Sequence, residues 1–219
     1  MRYTAGRCNE KSFPLRSLRL GERINDLPRH AGRQAINDEA TEKPAMKDIL
    51  QKAAQVELVI FDVDGVLTDG RLFYGDDGQE YKAFHSRDGH GMKMLRASGV
   101  EIAIITGRTS QVVEHRMANL GIEHVYQGKA EKLPAFEELI ERLGVGPQQV
   151  AYVGDDVVDL PIMLRVGLAV AVADAHPLVL QHAHWHTPHG GGQGAARDIC
   201  ELIMEARGDL DAQMRPFLQ

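Results

Sequence analysis

Asp62 and Asp64, separated only by Val63, follow directly on the apolar run Leu58-Val59-Ile60-Phe61. Two carboxylates this close repel, so one tends to hold a proton while the other stays ionised and nucleophilic. Acid–base and covalent catalysis both use that division. A turn or helix cap is the structural alternative, because aspartate accepts readily from nearby backbone amides. A second acidic cluster, Gly154-Asp155-Asp156-Val157-Val158-Asp159, follows the apolar run Val150 to Val153 in the same manner. If both runs are strands of one parallel sheet, both clusters open onto one edge. There they can converge on a hard cation such as magnesium, which takes oxygen ligands.

Between the clusters, Thr106-Gly107-Arg108 ends a third apolar run, Glu101 to Ile105. A hydroxyl, a flexible glycine and a guanidinium together suit the holding of phosphate oxygens, although a threonine cap and a glycine turn would look the same. Lys132 lies near the start of an expected helix from Glu131 to Leu143. It would bring a point charge to phosphate where the helix dipole also favours an anion, and taken singly it is an ordinary solvated lysine.

The elements that must position these groups are legible as periodicity. Strands are expected at Leu58 to Phe61, Glu101 to Ile105, His124 to Tyr126, Val150 to Val153 and Leu168 to Val172. Amphipathic stretches such as Leu133, Phe136, Leu139, Ile140 and Leu143 alternate with them. Strand and helix in alternation predict an α/β fold: a doubly wound parallel sheet with helices on both faces. One interruption breaks the pattern. Arg71 to Tyr74 and Glu80 to His85 flank Gly75-Asp76-Asp77-Gly78, which reads as a β-hairpin inserted after the first strand. It would overhang the strand ends where such sheets bind ligands, as a lid without a separate cap domain.

The bulk numbers narrow the partners. The chain has 219 residues, 43% of them hydrophobic, and a net charge of −6. That charge disfavours nucleic acid and anionic membranes and leaves a small molecule as the expected partner. Cys8 and Cys200 have no metal-like spacing. No apolar run of membrane-spanning length and no secretory pattern is present, so a cytoplasmic location is expected. Residues 1–45 read as a disordered basic extension and 46–219 as the catalytic domain. A transit peptide and upstream sequence preceding a start at Met46 are the competing readings of the extension, since Met46-Lys47-Asp48-Ile49-Leu50 leads towards the first strand. His182, His184, His186 and His189 read as partly exposed edge histidines, and Cys200 as a packed thiol.

In order, Asp62-Val63-Asp64-Gly65-Val66-Leu67, Thr106-Gly107-Arg108, Lys132 and Gly154-Asp155-Asp156 resemble the four motifs of haloacid dehalogenase-like phosphatases. The hairpin, Phe84 to Gly89, Tyr126-Gln127-Gly128 and Ala171 to Pro177 are similar to the 3-deoxy-D-manno-octulosonate 8-phosphate phosphatase family, capless enzymes of lipopolysaccharide precursor synthesis. The resemblance implies that Asp62 is the nucleophile, Asp64 the proton shuttle, and Thr106 and Lys132 the grip on the phosphoryl group. It implies magnesium held by the carboxylates of Asp62 and Asp155 and the backbone carbonyl of Asp64, with Asp156 and Asp159 behind them. Substrate contacts are implied for Asp64, His85, Ser86, Arg87, Asp88, Gly89, Lys93, Arg108, Arg116, Lys132 and Arg197. The family often carries asparagine at His85 and arginine at Lys93. A homotetramer is also implied, with the hairpins forming a central barrel and a Gly-rich tail, matched by Gly190 to Arg197, reaching a neighbour's active site; a flexible loop before the last helix is the alternative. Two rival functions stay open: a phosphatase for another sugar acid such as a nonulosonate 9-phosphate, and a non-catalytic phosphate-sensing or scaffold module.

Overall fold

The computed structural model describes residues 45–219, so the expectations for the basic extension fall outside it, Ala45 excepted. In chain order the strands are β1 (Leu58–Phe61), β2 (Phe73–Tyr74), β3 (Glu80–Tyr81), β4 (Glu101–Ile105), β5 (His124–Tyr126), β6 (Val150–Gly154), β7 (Leu168–Ala171) and β8 (Trp185–His186). The helices are α1 (Met46–Ala54), α2 (Ser86–Ala97), α3 (Gln111–Leu120), α4 (Leu133–Leu143), α5 (Leu160–Met163), α6 (Pro177–His182), α7 (Ala195–Arg207) and α8 (Leu210–Met214).

Six strands form one parallel sheet in the order β5-β4-β1-β6-β7-β8. From β1 the chain moves outward through β4 and β5, then returns to the other side of β1 and continues through β6, β7 and β8. Right-handed crossovers therefore put α2 and α3 on one face and α4, α5 and α6 on the other. The packing agrees, since α2 lies against α3 and α7, α1 against α7, and α5 against both α4 and α6. With both faces covered, β1 reads Leu-Val-Ile-Phe and all four residues are buried. The reversal of strand order beside β1 is the switch point at which open α/β sheets bind ligands.

Several local outcomes differ from the sequence reading. Met46 starts a helix instead of leading into the first strand, because Ile49 and Ala53, four apart, bury one stripe against the domain. The hairpin is shorter than expected, pairing only Phe73 with Tyr81 and Tyr74 with Glu80. Asp69 accepts from the Arg71 amide at 3.1 Å, so the start of the first arm is engaged in a local turn bond outside the ladder. The second arm correspondingly leaves the ladder after Tyr81, and His85 becomes the residue before α2. Helix α4 begins at Leu133, with Lys132 at its N-cap.

The glycine run 190–194 lies directly before α7. It folds back on the loop that follows β1: the Gly192 amide donates to the Val66 carbonyl at 2.9 Å, and the Gly191 amide to Asp174 Oδ1 at 2.9 Å. A Cβ on Gly191 would fall 1.8 Å from the Gly65 carbonyl oxygen, so only glycine permits this approach. The obstacle is backbone, which cannot rotate away. Gly191→Ala is therefore expected to lower stability by about 1–3 kcal/mol, as overpacked sites do. Urea unfolding should show this as a reduced midpoint at unchanged slope.

Candidate active site

Asp62 is the first residue past β1, and its amide extends the pairing by donating to the Val153 carbonyl at 3.1 Å. That fixes the carboxyl between β4 and β6, 6% exposed. Its Oδ1 accepts from the Val63 amide at 2.7 Å, and its Oδ2 lies 2.9 Å from Lys132 Nζ. The same ammonium reaches Asp159 Oδ1 at 2.7 Å, and Asp159 is fully buried. Tyr152, inside β6, donates its hydroxyl to that oxygen at 2.7 Å. Asp159 Oδ2 accepts from the amides of Asp155 and Asp156 at 3.0 and 3.2 Å. Both oxygens of Asp159 are thus engaged, so it organises Lys132 and the 155–156 turn in preference to binding a ligand.

The electrostatics follow from this crowding. Burial pushes the Asp62 carboxyl up, Lys132 pulls it back, and Asp159 adds repulsion, leaving it at about 6. Burial alone would depress Lys132, but Asp62 and Asp159 outweigh it and hold the ammonium above its ordinary value. Asp155 is raised to about 8, by burial first and then by facing Asp159 and Asp62. One ammonium does not neutralise three carboxylates, and the site has a deficit of positive charge.

A divalent cation fits that deficit. Carboxylate oxygens of Asp62, Asp155 and Asp159 lie within 4.8 Å of one another, the only such grouping of metal-capable side chains among the described residues. Asp155 Oδ1 is buried without a hydrogen-bond partner. Gly65 leaves the space open, since a Cβ there would sit 2.1 Å from Asp155 Oδ2. All the donors are oxygens, which suits a hard ion.

Asp64 lines the same cavity but has different cationic partners. Its Oδ1 is gripped by the ammonium of Lys82, and its Oδ2 lies 3.6 Å from Arg108 Nε. Lys82 also pairs with Glu80 at 3.3 Å. Arg108 reaches Glu80 at 3.3 Å and donates to the Tyr74 hydroxyl. The hairpin therefore touches the strand-end groups through Tyr74, Glu80 and Lys82. Thr106, 3% exposed, is held at the end of β4 by its amide bond to the Tyr126 carbonyl at 2.9 Å. A cavity of about 340 Å³ opens over Asp62, Asp64, Thr106, Arg108, Lys132 and Asp155.

The remaining sequence-assigned residues gather elsewhere. His85, Asp88, Gly89 and Arg116 line a separate small cavity, with Arg116 5.6 Å over the Phe84 ring. Asp88 is 3% exposed and accepts from the Arg197 amide at 2.9 Å, tying α2 to the first turn of α7. Ser86 and Arg87 are exposed at the start of α2, and Lys93 lines a surface cleft further along it. The Arg197 side chain pairs with Glu201 at 2.5 Å. Three of the four histidines find separate partners: His184 accepts from the Ala169 amide, His186 meets the Leu180 carbonyl, and His189 pairs with Asp198.

Lys82, Glu80 and Tyr152 were not singled out from sequence. Glu80 and Lys82 alternate along an expected strand, which places them on one face, and that signal was available. Tyr152 offered a weaker one, a hydroxyl within an otherwise aliphatic central strand.

Comparison with known proteins agrees with this architecture. A family model described as haloacid dehalogenase-like hydrolase matches residues 80–167. The 3-deoxy-D-manno-octulosonate 8-phosphate phosphatase KdsC of Escherichia coli K12 is 51% identical over 168 residues, covering 77% of this chain and 89% of that protein. The crystal structure of the phosphatase of that name from Yersinia pestis superposes with a TM-score of 0.74 at 51% identity, covering 75% of this chain and 89% of that one. The Moraxella catarrhalis phosphatase, solved with magnesium, phosphate and KDO, gives 0.78 at 40% identity, covering 79% and 99%. With 51% identity over 168 aligned residues that span 89% of such a relative, the chain belongs to the 3-deoxy-D-manno-octulosonate 8-phosphate phosphatase family of haloacid dehalogenase-like hydrolases.

Proposed function

We propose that the protein hydrolyses 3-deoxy-D-manno-octulosonate 8-phosphate to the free sugar acid and phosphate, a step in lipopolysaccharide precursor synthesis. The observation that carries the reading is the convergence of Asp62, Asp64, Thr106, Lys132 and Asp155 around one cavity at the switch point of the sheet. A scaffold or sensing module has no need of the second acid of that set.

In this mechanism the Asp62 carboxylate attacks phosphorus. The bond from phosphorus to the sugar oxygen breaks, and Asp64 delivers a proton to that oxygen. Asp64 then takes a proton from water, whose oxygen attacks the aspartyl-phosphate and frees Asp62 and inorganic phosphate. Lys132 and Thr106 hold the transferring group, with their donors fixed before reaction. Magnesium, bound by the carboxylates of Asp62 and Asp155 and the backbone carbonyl of Asp64, supplies the positive charge that lets an anionic phosphate approach an anionic nucleophile. Arg108 meets the sugar acid at the cavity mouth, with a planar guanidinium suited to a carboxylate. The contacts assigned to His85 to Gly89, Lys93, Arg116 and Arg197 rest on the family resemblance alone, since these residues lie outside that cavity.

We further assign a homotetramer assembled through the hairpin, and a cytoplasmic location. In support of the first, Leu72, Phe73, Tyr74 and Tyr81 are each about half exposed, at 47%, 48%, 57% and 56%. They sit on a two-stranded ribbon with open edges, an arrangement that is marginal alone. In keeping with the second, no described helix is long and apolar enough to cross a membrane.

Phosphate release should be strongly favoured for the octulosonate 8-phosphate over a nonulosonate 9-phosphate and hexose phosphates, and should require magnesium. Asp62→Asn should reduce it roughly 10⁴-fold or more, as removing a covalent nucleophile does. Turnover of only another sugar acid phosphate would keep the chemistry and replace the substrate; no turnover of any would favour the sensing module. Magnesium at 100 times its Kd should stabilise the fold by about 2.7 kcal/mol, a shift that calorimetry should find largely lost in Asp155→Asn. Sedimentation should give four copies for the wild type and smaller species for a Phe73→Asp, Tyr81→Asp double variant.

A further inference from the structure

We propose that Lys82 is a positioning residue for the proton shuttle: it pins one oxygen of Asp64 and leaves the other as the oxygen that exchanges protons with the sugar hydroxyl and with water. The inference rests on the assignment of Asp64 above and extends it to a residue outside the four motifs.

The two cations that meet Asp64 are unlike in every physical respect. The Lys82 side chain is 1% exposed and lies between Asp64 Oδ1 and Glu80 Oε1. A buried ammonium with two carboxylate partners is anchored, since leaving either would strand a charge away from water. Arg108 is 42% exposed, stands 3.6 Å from Oδ2, and shares itself with Glu80 and the Tyr74 hydroxyl. It can swing to an incoming anion at little cost, whereas Lys82 cannot. Once Arg108 turns to the substrate, Oδ1 is still occupied and Oδ2 faces the cavity alone. A shuttle must present the same oxygen to the leaving group and then to water, and a carboxyl free to spin about its last torsion would not. Lys82 removes that freedom without touching the substrate.

The position on the hairpin adds a constraint. Lys82 follows the last paired residue of β3, Tyr81, whose side chain points to the opposite, exposed face. Glu80, two residues back, shares the Lys82 face and fixes the ammonium from behind. The hairpin thus holds the orientation of a group that is carried by a different element, the loop after β1.

The test compares Lys82→Met, Lys82→Arg and Glu80→Gln, each made in the wild type and in Asp64→Asn. It uses the sugar acid phosphate and 4-nitrophenyl phosphate, whose leaving group departs without a proton. Because kcat/KM covers steps up to transfer of the phosphoryl group to Asp62, Lys82→Met should lower it about 10²-fold for the sugar substrate. The loss should be within about threefold for the nitrophenyl ester, and absent in the Asp64→Asn background, as expected for residues acting as one unit. Lys82→Arg should recover part of the loss. Glu80→Gln should reproduce its pattern more weakly, which keeps the test decisive if Lys82→Met does not fold. Equal losses with both substrates, a loss confined to KM, or a full loss persisting in Asp64→Asn would each overturn the proposal. Absence of activity in the wild type would instead sink the phosphatase reading itself.

Discussion

The site depends on one buried ammonium. Lys132 stands between Asp62 and Asp159, two carboxylates that are almost or entirely withdrawn from water. Without it the nucleophile would have to be neutral or the core would carry uncompensated charge, and either outcome is costly. With it, Asp62, at about 6, is largely ionised at neutral pH while Asp155 is held well above its ordinary range. The protein therefore comes to its cofactor short of cationic charge, in the place where phosphate must also bind.

Topology makes this concentration of charge possible. Asp62, Thr106 and Asp155 come from loops after three adjacent strands, β1, β4 and β6, and register alone brings them together. Apolar side chains on both faces of β1 lock that register, because every residue paired with the strand except Glu101 is itself buried. The chemistry occupies only the sheet's rim, and the hydrophobic core beneath it provides the rigidity that preorganised electrostatics demand.

Much of this was legible in the linear sequence. Runs such as Leu58 to Phe61 and Glu101 to Ile105 have no helical period and end in polar residues, so their strands and their chemistry announced themselves together. What was not legible depended on distance in space. Asp159 reads as a supporting acid, but its four hydrogen-bonding partners are Lys132, Tyr152 and the amides of the 155–156 turn, and no spacing rule connects the first two to it. Asp88 lies within a run of polar residues that looks like a binding loop, and its hydrogen bond to the Arg197 amide of α7 has no signature in that run. The glycines at 190–194 read as a flexible loop on composition and as a reaching tail on the family resemblance; neither reading contains the close approach of Gly191 to Gly65.

The hairpin ladder has only two residue pairs. Turn lengths on protein surfaces are usually free to drift, because nothing downstream counts residues. Here something does: adding or removing one residue among positions 75–79 would reverse which side chains of the second arm face inward. The Tyr81 ring would then be offered to the catalytic carboxylates, and the Lys82 charge to solvent. The turn is thus a frame counter, and its length is as much a part of the catalytic specification as the aspartates themselves.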